Sequence, residues 1–149
     1  GLALEALDRE RARCQRSVVK AVRTCQAARL AEFNRCKKGG LKNGAISSAI
    51  SLASCLDADP KGRIALSCET VGAKPDPIRK ALSASCVARG VDPASTLAGC
   101  PQASGTELAH SCVQRHVRCR TCLGLAAADS LPLDCDRYDD GAVNDTCLP

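Results

Sequence analysis

The sequence is short of bulky side chains. Phe33 and Tyr138 are its only aromatics, and it contains no Met and no Trp. Its 45% hydrophobic content is inflated by Ala and Cys, so packing alone would give a thin core. No apolar run approaches the roughly 20 residues that a membrane-spanning helix needs. Nothing in the chain keeps the strict alternation of a β-strand, which predicts an all-α fold. Two histidines leave little for acid–base work, and no nucleophile–base arrangement, phosphate loop or paired catalytic carboxylate stands out. No enzyme is expected. The scarcity of aromatics also removes the stacking platforms of single-strand recognition, so nucleic acid is not an expected partner. Neither an initiating Met nor a signal peptide is present, and Gly1 reads as the first residue of a processed export product.

What the chain has instead is cysteine. Twelve occur in 149 residues, at positions 14, 25, 36, 55, 68, 86, 100, 112, 119, 122, 135 and 147. A reducing cytosol would keep them as thiols, so an even set this dense predicts disulfides in an oxidising compartment, periplasmic or extracellular. Zinc is the competing explanation, but zinc modules repeat tight Cys-x-x-Cys pairs, and only Cys119 and Cys122 have that spacing. Removing one native bridge from a small secreted domain typically costs about 2–5 kcal/mol. About six bridges would replace much of what large side chains usually provide.

The stretch from Leu2 to Lys38 organises the rest. It holds no Pro or Gly and is rich in Ala, Leu, Arg, Glu and Gln, which are good helix formers. Cys14, Cys25 and Cys36 recur every eleven residues, just over three helical turns, so their sulfurs fall on one stripe. Adjacent cysteines on that stripe are about 16.5 Å apart. A disulfide needs Cα atoms within roughly 7 Å. The three cannot pair with one another, and each must be tied to a different cysteine later in the chain or in another subunit. Arg9, Arg13, Arg16, Lys20 and Arg23 occupy the opposite side. Val19 and Leu30, with Phe33 at the edge, lie away from the stripe and predict a second apolar face for self-association.

The expected domain is single, 1–149, with the long helix over 1–38, shorter helices over 45–128 and an acidic, Cys-closed loop over 129–149. The long helix is expected to stop at Lys38-Gly39-Gly40. Asn43-Gly44 is a turn signal, and a helix over Ala45 to Leu56 follows. Asp59-Pro60, Asp76-Pro77 and Asp92-Pro93 each place an N-cap before Pro at the first helical position. The first should run to Gly72, the second to Ala88 with Gly90 behind it, and the third should be a short turn. Thr106 and Glu107 open the last long helix, about Glu107 to Ala128.

Charge is uneven. Residues 1–42 carry +7, residues 43–149 carry −2, and residues 129–149 alone carry −5. In the acidic tail Asp134, Asp136, Asp139, Asp140 and Asn144 supply hard oxygens of the kind Ca²⁺ takes in sixes to eights. Asp136-x3-Asp140-Gly141-x2-Asn144 matches positions one, five, six and nine of a calcium loop. Tyr138 departs from it at position three, and Cys147 stands where a bidentate Glu belongs. The competing reading is a solvated acidic loop held by disulfides. His116, Cys119 and Cys122 could form a partial metal site, and Cys119-Arg-Thr-Cys122 a redox pair. Structural disulfides beside an exposed His116 are the expectation, and His110, on the opposite face, reads as solvated.

The run Cys14-Gln-Arg-Ser-Val-Val-Lys-Ala, then Arg35-Cys36-Lys37, and later Asp59-Pro-Lys-Gly-Arg-Ile-Ala resembles segments of a group of exported Cys-rich helical bacterial proteins. The most specific part is C-terminal: Val117-Arg-Cys-Arg-Thr-Cys-Leu-Gly-Leu-Ala-Ala-Ala-Asp, continued by Asp134-Cys-Asp-Arg-Tyr-Asp-Asp-Gly141. The resemblance covers most of the chain with a loose middle. It implies export and a shared fold, and nothing catalytic.

The sequence therefore predicts a disulfide-stapled helical bundle built on one long N-terminal helix. The expected function is an exported structural protein, a self-associating subunit of a filament or surface layer. The alternative is a monomeric secreted module that binds Ca²⁺ or an acidic polymer through its basic helix face. Twelve cysteines allow on the order of ten thousand pairings, so connectivity stays open.

Overall fold

A computed structural model describes residues 2–142 and 147. Its backbone is one helix, α1 (Leu2–Asn43), with the rest of the chain folded back along it. At 1.5 Å per residue α1 is about 63 Å long. It does not stop at Gly39-Gly40. A Cβ on Gly40 would lie 2.4 Å from Ile46 Cδ1, so this glycine gives the returning chain a seat rather than ending the helix. Ile46 N–H donates to the Gly40 carbonyl at 3.0 Å. The exit is made by Gly44, whose φ of 78° is the left-handed conformation that favours glycine.

The return begins with α2 (Ala49–Ala53), which tightens into a 3₁₀ turn over Ser54–Asp57. The expected helix from Ala45 starts four residues late because Ser48 and Ser51 cap each other's backbone N–H in a reciprocal box. Next come α3 (Arg63–Cys68) and α4 (Pro77–Ala81), the latter continuing through a π turn, Leu82–Cys86, and a 3₁₀ turn, Val87–Arg89. Asp59 caps α3 as expected, but from a distance. A turn over Asp59–Gly62 intervenes, and its carboxylate reaches across to accept from Ile64 N–H (3.0 Å) and Ala65 N–H (2.9 Å). That helix ends at Cys68, not Gly72, where Gln114 Nε2 takes the Cys68 carbonyl. Asp76 caps α4 through Arg79 N–H at 2.9 Å, and Asp92 caps the short turn at Pro93–Ser95. The last long helix, α5 (Gly105–Asp129), opens two residues before Glu107; Asp92 also accepts from Ser104 Oγ at 2.9 Å beside its start.

The three cysteines of α1 each bind a different later one. Cys14 bonds Cys86, Cys25 bonds Cys68 and Cys36 bonds Cys55, with Cα–Cα distances of 4.8, 4.9 and 5.6 Å. The pairs are nested, because the chain leaves the C-terminal end of α1 and returns toward its N-terminal end. Cys100–Cys112 staples a loop to α5, while Cys122–Cys135 and Cys119–Cys147 fasten the tail to it. No cysteine is free. This is a disulfide-stapled all-α fold, with one isolated backbone bridge between Val71 and Lys74.

Apolar side chains form two clusters rather than one core. Around Cys14 and Cys25 lie Val18, Ile64, Ile78, Leu82, Ala109, Val113 and Val117. Around Cys55, Cys119 and Cys122 lie Phe33, Leu52, Leu56, Leu125 and Leu131. The N-terminal half of α5 joins the first cluster and its C-terminal half the second, so α5 runs parallel to α1. Lys37 and Asp129 pair where the two helices end. After Ser130 (φ 52°) the chain is irregular apart from a 3₁₀ turn at Asp136–Tyr138.

Candidate functional site

The disulfides decide first what the sulfur atoms cannot do. Cys119 and Cys122 bond Cys147 and Cys135, so they are not a redox pair with each other. Two groups of side chains bring their ligand atoms within 4.8 Å: Cys100, Cys112 and His116, and Cys119, Asp139 and Cys147. Each contains a closed disulfide, which offers no thiolate to a metal. His116, Cys119 and Cys122 do not assemble as a site among the described residues. His116 Nε2 instead donates to the Gly99 carbonyl at 2.8 Å.

The acidic residues of the tail are turned largely toward their own backbone. Asp134 Oδ1 accepts from Asp136 N–H at 3.2 Å, Asp139 Oδ1 from Asp140 N–H at 2.6 Å, and Asp140 Oδ1 from Ala142 N–H at 2.8 Å. Gly141, with φ 78°, donates to the Asp136 carbonyl at 3.0 Å and makes the tight turn expected of it. Asp136 is the exception: it is 3% exposed, and its Oδ1 has no hydrogen-bond partner. Among the described residues no three of these carboxylates converge within 4.8 Å, and Asn144 lies outside them.

On α1, Val19 and Leu30 are 44% and 43% exposed, but Phe33 is 1% exposed. The far side of the helix at that level is covered by the 3₁₀ turn after α2 and by the end of α5. Phe33 is therefore a core residue and not part of a self-association face. Arg9, Arg13, Arg16, Lys20 and Arg23 are all exposed. Among the described residues none of the five is in an ion pair. They form a cationic ladder about 21 Å long.

A cleft of about 570 Å³ opens on the other side of the molecule, lined in part by Asp76, His110, Gln114, Arg115, Arg118 and Tyr138. Asp76 is 1% exposed. One of its oxygens caps α4, and the other lies 2.9 Å from His110 Nε2 and 3.3 Å from Thr70 Oγ1. Arg79 Nη2 is 3.2 Å from His110 Nδ1. A guanidinium only donates, so Nδ1 accepts and Nε2 carries the proton toward Asp76; the tautomer is assigned from its partners. His110 is thus not solvated. With both ring nitrogens engaged, His110 braces α5 against the N-terminus of α4. Helix angles placed His110 off the cysteine face correctly but carried no information on α4 standing there.

A narrower throat adjoins the cleft, sharing Arg118 and Tyr138 with it and bounded further by Arg29, Leu56, Asp57, Thr121 and Cys122. Arg29 is 7% exposed, and its Nε and Nη2 are buried without a partner. Burial pushes its pKa down and the Arg118 charge adds to that, while Glu69, Asp57 and Tyr138 act the other way. Across the mouth, Tyr138 Oη donates to Asp57 at 3.1 Å, and Arg137 reaches both Asp57 (3.4 Å) and Tyr138. Arg29 was legible as an anomaly: it follows Cys25 by one helical turn, so a cation had to share the buried stripe. Comparison with known proteins identifies no relative: no family model, no curated protein and no solved structure matches this chain.

Proposed function

We propose that this is an exported, non-enzymatic structural protein that docks through the basic face of α1 onto an acidic polymer. The observation that carries the reading is the ladder of Arg9, Arg13, Arg16, Lys20 and Arg23, exposed and without carboxylate partners among the described residues, on a helix riveted at three points. Like charges crowded along one face repel one another, and a polyanion relieves that repulsion and releases its counterions. Six disulfides fit an oxidising setting. The test is retention on an immobilised polyanion such as heparin. Arg16→Gln, Lys20→Gln and Arg23→Gln combined should elute at clearly lower salt with unchanged thermal stability. Equal elution of the triple variant and the parent would end the proposal.

Self-association into a filament or surface layer is the second reading, favoured by the exposure of Val19 and Leu30 beside the same ladder. The acidic tail of a neighbour would then be the polyanion. Light scattering that rises with concentration and falls with salt would support it; a monomer throughout would remove it. Ca²⁺ binding at the tail is proposed on the unpartnered oxygen of Asp136, and calcium-dependent stabilisation, lost in Asp136→Asn, is its test.

A further inference from the structure

We infer that the throat above Arg29 is a binding site for a single oxyanion group, a carboxylate, sulfate or phosphate, with Arg29 as its floor and Arg118 as its wall. The site goes beyond the polyanion-docking reading, since Arg29 faces the core side of α1 while the ladder faces solvent.

A guanidinium has five N–H donors and no way to shed its charge, so burying it is unfavourable unless an acceptor meets it. Arg29 is 93% buried, and two of its nitrogens have no partner. The acids nearest in charge effect, Glu69 and Asp57, form no ion pair with it among the described residues. Asp57 is instead engaged by Arg137 and Tyr138. A second cation, Arg118, borders the same throat. Two cations and one carboxylate, Asp57, line the throat, and that carboxylate is held by Arg137 and Tyr138 rather than by Arg29, so the lining keeps an excess of positive charge that suits an anion.

The shape narrows the ligand. The throat holds about 10 Å³, room for no more than a water or so as it stands, and Arg118 and Tyr138 form the wall it shares with the 570 Å³ cleft. An anion entering from the cleft must displace the Tyr138 side chain, whose hold on Asp57 is an exposed hydrogen bond. With Tyr138 swung out the throat would admit no more than a terminal charged group, and the body of a larger ligand would lie in the cleft beside Arg115 and Gln114. The planar fork of Arg29 pairs with two oxygens of such a group, a geometry that all three oxyanions share.

Thermal unfolding of the intact oxidised protein tests this, with sodium phosphate, sulfate and acetate compared against sodium chloride at equal ionic strength. The expected result is a rise in Tm that saturates with at least one oxyanion, reports which class is held, and is absent with chloride. Arg118→Gln, at an exposed position, should weaken the half-saturating concentration about tenfold, the loss of one charge-assisted contact. Arg29→Met should abolish the response while unfolding no earlier than the parent in chloride, because it removes an unpaired buried charge. If Arg29→Met does not fold, the Arg118→Gln titration alone decides. A Tm that follows ionic strength only, or an unchanged half-saturation in Arg118→Gln, would show that the throat is filled by water and overturn the inference.

Discussion

Consider removing the outermost rung of the spine, Cys14→Ala together with Cys86→Ala. A disulfide acts chiefly by restricting the unfolded chain, and the effect grows with the logarithm of the loop it closes. Taken one at a time, the sequence separations of 72, 43 and 19 residues predict losses of about 4.4, 4.0 and 3.2 kcal/mol for the three spine bridges. Nesting changes this. While Cys25–Cys68 is intact, removing Cys14–Cys86 frees only the eleven residues of spine and the eighteen residues beyond Cys68, a loop of about 30. The middle rung then closes about 24 residues, and the innermost still closes 19. The predicted losses become about 3.6, 3.4 and 3.2 kcal/mol, nearly equal.

The assay is urea unfolding without reductant of the series that lacks the outer rung, then the outer two, then all three, each variant checked by mass for full oxidation of its remaining cysteines. At this chain length each loss corresponds to a fall in Tm of about 7–14 °C. Losses of similar size would support a ladder in which every rung bears on its neighbours. A spread above about 1 kcal/mol, largest for Cys14–Cys86, would mean the bridges act independently. A loss below about 1 kcal/mol for all three would refute the premise that sulfur links replace a bulky core.

Two further outcomes follow from the caps. Burial pushes the Asp59 carboxyl up, but N–H donation from Ala65 and Ile64 outweighs it and holds the group below the usual carboxylate range. The folded state therefore binds fewer protons there than the unfolded chain. That stabilisation is complete above about pH 5 and is lost as pH falls through the folded value. Asp59→Asn should flatten the acid limb of a stability–pH curve, and an unchanged limb would discount the cap. Asp76→Asn keeps an acceptor for Arg79 N–H but sets an amide N–H against the His110 ring N–H; it should cost about 1–3 kcal/mol in urea unfolding and shift the His110 ring resonances. A neutral result would mean that the brace between α4 and α5 is not worth its burial.

How far the sequence was legible depends on whether a feature is fixed by one element or by two. The cysteine stripe belongs to α1 alone, and helix geometry was enough to show that Cys14, Cys25 and Cys36 must each find a separate partner. Which partner depends on the direction of the returning chain. Asp76-Pro77 and Asp92-Pro93 are local caps and read correctly, whereas Asp59 is separated from its helix by a turn that no local rule places. In the sequence Gly39-Gly40 has the form of a stop, because missing Cβ atoms suit a helix exit. The same absence suits close approach, and Ile46 uses it. Phe33 and His110 were placed at the right angle on their helices. What covers those angles lies in other elements, so the sequence alone suggests an exposed contact for one and solvation for the other.

The strongest check on this account comes from two buried charges on neighbouring turns of α1. Glu32 and Arg29 are 0% and 7% exposed. Glu32 is fully served: Arg35 Nη1 lies 2.7 Å from one oxygen, Lys61 N–H donates to the other at 2.7 Å, and Arg63 stands at 4.0 Å. Arg29 has no such set. If burial alone set the cost of changing a charged side chain, Glu32→Gln and Arg29→Met would destabilise alike. If satisfaction sets it, they diverge. Glu32→Gln keeps one acceptor oxygen but turns its NH2 toward either the Arg35 or the Lys61 donor, and it should lose about 1–3 kcal/mol in urea unfolding without an oxyanion. Arg29→Met should lose nothing there, because a thioether chain of similar volume occupies the space without a charge to solvate. Equal losses would place both residues in the same structural role and leave Arg29 with no reason of its own to be inside.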